Sequence, residues 1–174
     1  MIQTIKLLYP DCSRISNKDL YELSKDNQIL KILSKSHYLQ FVDLRKLLFG
    51  DHTLSFFLNL WNLLFLHTLL TIWARDLPIN PLKRCISNSS HNYLIGSLGR
   101  ISLTTLRYKL LGSMTWDLDV FSKTEDINEV VWQDLELVTD PRVVFAMANE
   151  FYESPAIRVC PIILCTQNLI FLVI

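Results

Sequence analysis

Apolar residues recur at helical spacing over residues 16 to 36, where Leu20, Leu23, Ile29, Leu30 and Leu33 follow Ser16 or Asn17 as possible caps. A second helical stretch is expected around Leu39 to Leu48, closed by Gly50-Asp51. The most apolar segment follows. From His52 to Ala74 there are 23 residues without Asp, Glu, Lys or Arg, long enough to cross a bilayer. Within it Ser55, Asn59 and Asn62 fall within about 60° of one another at 100° per residue, one polar stripe on a greasy helix. Together with His67, Thr68 and Thr71, these groups are costly in lipid unless paired, so a buried core helix is favoured over a membrane span.

Further along, Pro78, Pro81 and the run Ser87-Asn88-Ser89-Ser90-His91 predict a loop. Tyr93 to Ile101 predicts two short strands around a glycine-containing turn. Ser102 suits the N-cap of a helix over Leu103 to Leu111, with Gly112 placed to end it. Trp116 to Leu137 is polar and mixed, expected as loop with a short helix. Arg142 to Ala148, introduced by Pro141, is rich in β-formers and predicts a buried strand. The expected fold class is α+β, with N-terminal helices packed on a small β-sheet from the Tyr93–Ile101 and Arg142–Ala148 regions. The expected division is a helical segment over 1–37, a domain over 38–159 and an apolar tail over 160–174.

Composition narrows the function classes. Lys+Arg and Asp+Glu both number 17, so the net charge is zero, which speaks against nucleic acid as a partner. Met1 to Pro10 lacks the pattern of a signal peptide, since Lys6 interrupts its apolar stretch and no small-residue cleavage site follows. Cys12, Cys85, Cys160 and Cys165 are scattered, without CxxC pairs. An intracellular, cytoplasmic chain with reduced thiols is expected, in which the sequon Asn88-Ser89-Ser90 has no use. His37, His52 and His91 stand at no metal-ligand spacing, so neither a metal nor a cofactor is implied.

Three blocks carry a resemblance. Leu39-Gln40-Phe41-Val42-Asp43-Leu44 with Phe56 to Leu63 forms the first, and Asn92 to Gly96 with Ile101 to Gly112 the second. Asp140 to Ala148 with Ser154-Pro155-Ala156-Ile157-Arg158-Val159 forms the third. Their order and spacing resemble the domain of unknown function 547 family, of which this chain resembles a partial, degenerate member. The resemblance implies no assigned activity. It does imply the company of other modules, since members are often fused to DEP, glutaredoxin or leucine-zipper segments.

The departures from the family pattern carry information too. Thr104-Thr105 stands where the family usually has two acids, Arg107-Tyr108 where it has Glu-His, Val144 where it has His, and Asn149 where a Cys or small residue is common. Those positions could have supplied a base, an acid or a thiolate. If the family is enzymatic, this copy is expected to be disarmed. After Val159 the likeness is expected to stop. The charge-free run from Cys160 to Ile174 is open to three readings, a final core strand, a weak tail anchor or a non-native ending, the last being favoured.

Asn59 and Asn62 lie about one turn apart and can meet one ligand, or can satisfy buried backbone. With Asp140, Arg142 and Ser154 they are the candidate ligand-facing residues, although satisfied structural amides are the preferred reading of the asparagines. Asp140 and Arg142 are expected to orient a turn and an incoming strand. His67 lies off the stripe and is expected to be a helix-end or packing residue. Phe56, Phe57, Trp61 and Phe65 are expected in the core. The leading expectation is a non-catalytic interaction or scaffold domain with an unknown protein partner. An enzyme of hydrolase or thiol type near Asn59, Asn62 and Asp140 is the second reading, and membrane anchoring through 52–74 the third.

Overall fold

The computed structural model describes residues 17–44, 51–75, 80–111, and 143, 146 and 147. The fold is α+β. The predicted N-terminal helix is two: α1 (Asn17–Leu23) and α2 (Asn27–Leu33). Asp26 separates them, because its carboxylate accepts from the backbone N–H of Gln28 at 2.7 Å and starts a new helix. Behind α2 the chain tightens into a 3-10 helix, Ser34–Phe41, and Val42 is extended.

The helix expected to begin at Leu39 is therefore corrected over its described part. Its backbone is drawn into tertiary bonds instead: the Ser97 N–H donates to the Val42 carbonyl at 3.4 Å, and the Leu44 N–H donates to the Ser97 hydroxyl at 3.3 Å. Residues 45–50 lie outside the described set.

The apolar segment forms one long helix, α3 (Asp51–Thr68), which runs on as a π-turn over Leu69–Trp73. Over Thr53–Trp73 it is long and apolar enough to cross a membrane, yet 61% of its most apolar window is buried within the fold. Two clusters share it. Leu66 and Leu70 pack with Leu23, Ile29 and Leu33 of α1 and α2. Phe57, Leu58, Trp61, Leu64 and Phe65 pack with Ile95, Leu98, Ile101 and Leu106 farther along the chain. As expected, Phe57, Trp61 and Phe65 are core residues, and Phe56 packs against that core half-buried.

The region expected as a loop near Pro81 is instead a helix, α4 (Pro81–Ser90). Asn80 caps it by accepting from the Leu82 N–H at 2.8 Å, and Pro81 sits at its first turn, where a missing N–H costs nothing. Reading that proline as a breaker overlooked its use as a starter. The Trp73 indole N–H donates to Ser87 at 3.3 Å and ties α4 to the π-turn.

The expected hairpin is present as β1 (Asn92–Ile95) and β2 (Gly99–Ser102), antiparallel, with Ile95 facing Gly99. Gly96 begins its 3-10 turn at φ +39°, and a Cβ there would lie 1.7 Å from the Val42 carbonyl oxygen. Only glycine allows that close approach. Ser102 caps α5 (Leu103–Leu111) as expected, accepting from the Thr105 N–H at 3.1 Å.

The second sheet contribution is corrected. Among the described residues the sheet has two strands, both from the hairpin. Val143 lies in a 3-10 turn, and the Ala146 N–H closes back on its carbonyl at 2.9 Å. Val143, Ala146 and Met147 are buried in the core containing Trp61, so at these three described positions the apolar character serves burial rather than strand pairing.

Candidate functional site

The polar stripe of α3 turns inward. Asn62 is fully buried, and its amide donates to the Ala146 carbonyl at 3.2 Å across 84 residues of sequence. Asn59, half-buried one turn earlier, donates to the Ser55 hydroxyl at 3.5 Å. Both bonds fit the structural reading of these amides. Asn62 in particular holds the turn around Ala146 against the helix, because a carbonyl buried there without a donor would cost about 1–3 kcal/mol. Asp140, Arg142 and Ser154 lie outside the described residues, as do Cys12, Cys160, Cys165, Asn149 and Val144.

A different polar cluster stands at the far end of the same helix. His67 Nδ1 lies 3.0 Å from the Tyr93 hydroxyl, and Thr68 Oγ1 lies 2.9 Å from that hydroxyl. The Thr71 hydroxyl donates to the His67 carbonyl at 2.6 Å and sits 3.4 Å from Nδ1. The Tyr93 ring meets the imidazole edge-on at 5.5 Å. Thr68 is fully buried, while His67, Thr71 and Tyr93 are half-buried.

Burial depresses the His67 pKa below its ordinary 6.5 and raises that of Tyr93, an increase that the Thr68 hydrogen bond opposes. The π-turn begins immediately after Thr68, and such turns are frequent at functional sites. Sequence reasoning noted His67, Thr68 and Thr71 only as polar interruptions. Their i, i+1, i+4 spacing was the available signal, while Tyr93 joins them only through the hairpin.

The family departures also find uses. Thr104 Oγ1 lies 3.0 Å from the buried Ser89 hydroxyl and links α5 to α4. Thr105 completes the α5 cap, and its hydroxyl accepts from Ser102 at 3.2 Å. At these two positions the chain carries hydroxyls that anchor helices. Among the described residues no group of three His, Cys, Asp or Glu side chains is placed to hold a metal ion.

On the surface, His37, Tyr38 and Phe41 form an aromatic row along the 3-10 helix, with ring centroids 4.0 Å and 6.5 Å apart. Tyr38 is 59% exposed and Phe41 72%. The row lies beside β1, whose Leu94 is also exposed.

The sequence model of the family described as protein of unknown function, DUF547, matches residues 45–168. That is well over half of the chain, and the chain belongs to this family. The match extends past Val159, where the likeness had been expected to stop. Neither the curated proteins nor the solved structures contain a match to this chain.

Proposed function

We propose that this domain is a non-catalytic interaction or scaffold module that binds another protein through the aromatic row of its 3-10 helix. The observation that carries this reading is the exposure of Tyr38 and Phe41 together, on a 3-10 helix that packs against β1. Aromatic side chains that bury little in their own fold are the kind enriched in protein interfaces. Support also comes from the asparagine stripe, where Asn62 serves the fold through the Ala146 carbonyl.

The balanced charge favours a protein partner over nucleic acid. The burial of α3 between two clusters favours a cytoplasmic domain over a membrane span. A Tyr38→Ser/Phe41→Ser double variant tests the reading. Proximity labelling in cells is expected to lose specific partners relative to the parent chain, with the melting temperature unchanged. An identical partner set from both chains would overturn it. Carbonate extraction checks the rest: recovery of the chain in the membrane pellet, lost on deleting 52–74, would sink the cytoplasmic assignment.

A further inference from the structure

The hydroxyl chain around His67 has a direction. Thr68 is buried, and its hydroxyl has the Tyr93 hydroxyl as its hydrogen-bond partner. If Tyr93 donated to Thr68, the Thr68 hydrogen would be left buried without an acceptor, a costly arrangement. Thr68 therefore donates to the Tyr93 oxygen. With its oxygen accepting from Thr68, Tyr93 is free to direct its own hydrogen at His67 Nδ1, 3.0 Å away. The Thr71 hydrogen is already committed to the His67 carbonyl, so Thr71 supplies none to Nδ1. An imidazole that accepts at Nδ1 carries its hydrogen on Nε2.

That Nε2–H has no partner among the described residues. Among the described residues the only buried side-chain N or O atom lacking one is Asn88 Oδ1, so Nε2 reaches the surface. We propose that Thr68 and Tyr93 lock His67 as a neutral imidazole whose Nε2–H forms a surface site for an amide carbonyl oxygen. The site is separate from the aromatic row and does not depend on it.

Three features select a neutral acceptor. Burial lowers the His67 pKa, and among the described residues no charged neighbour contributes to that shift or offers an anion Coulombic support. Protonating His67 would place a second hydrogen between Nδ1 and Tyr93, and relieving that clash would strand the Thr68 hydrogen. The ring orientation is also set in advance, by the Tyr93 bond on one nitrogen and the edge-on ring contact, which lowers the ordering cost of binding. Tyr93 is the titratable group facing His67 from β1, and no Asp, Glu, Lys or Arg lies among its hydrogen-bond partners.

Nitrogen-15 spectra of the histidines in the full chain test this directly. At neutral pH His67 is expected as the Nε2–H tautomer, titrating below 6.5. Thr68→Val should allow Tyr93 to turn, giving mixed tautomers, whereas Thr68→Ser should restore the parent behaviour. N-methylacetamide should shift the Nε2 resonance saturably in the parent and several-fold more weakly in Thr68→Val. Acetate should bind no better than the amide. An Nδ1–H tautomer in the parent, or unchanged spectra in Thr68→Val, would overturn the relay. Preference for acetate, or no saturable shift with either probe, would overturn the ligand.

Discussion

The two ends of α3 both carry polar side chains and use them differently. At the N-terminal half, Ser55, Asn59 and Asn62 turn into the fold, and the Asn62 bond spans from the helix to Ala146. At the C-terminal end, Thr68, Tyr93 and His67 form a chain of donors that stops one hydrogen short of closure, at Nε2. Amides can satisfy themselves against buried backbone, having both donors and acceptors. A hydroxyl chain ending on imidazole has a direction, and its last donor faces outward. A buried polar residue is thus evidence of function only when its hydrogen bonds leave something over.

The strongest way to break this contrast is Gly96→Ala. The added Cβ would meet the Val42 carbonyl oxygen at 1.7 Å, so the hairpin that delivers Tyr93 must shift. A loss of about 3 kcal/mol in urea unfolding is expected, with loss of the His67–Tyr93 bond. Asn62→Ala comes next. It removes the donor from the Ala146 carbonyl and leaves a small void, for about 2 kcal/mol of destabilisation with the His67 spectrum unchanged. If Asn62→Ala altered that spectrum instead, the two ends of the helix would not be independent.

A smaller effect separates the ends by pH. The folded pKa of His67 lies below the unfolded value of 6.5, so the native state binds fewer protons. Its contribution is fully present above 6.5 and is lost as pH falls through 6.5 toward the folded pKa. Stability measured from pH 8 downward on a series of buffers should show this acid loss diminished in His67→Gln and retained in Asn62→Ala. Smallest of all, Tyr38→Ser/Phe41→Ser should change unfolding stability by no more than about 0.5 kcal/mol, since both rings already lie largely in solvent.

Particular residues explain what was readable in advance. The long α3, the hairpin and the Ser102 cap announce themselves through local signals: a long apolar run free of Asp, Glu, Lys and Arg, a glycine turn between β-formers, and a hydroxyl one residue before a helix. The same local reasoning failed at Pro81, which starts a helix because Asn80 caps it, and at Asp26, whose capping bonds split one expected helix into two. Pro81 was given the wrong role, and Asp26 none.

The order of residues by itself determined the family, through blocks in sequence, and the α+β class and the burial pattern of α3, because spacing along a helix or strand follows from backbone geometry that every residue shares. Tertiary structure alone decided that Val42 would be extended, with Val42 and Leu44 bonded to Ser97, and that the Ala146 carbonyl would lie under Asn62. It also brought Tyr93 to His67 across 26 residues. Such bonds join groups distant in sequence, and a hydrogen bond depends on distance and direction that no local pattern encodes.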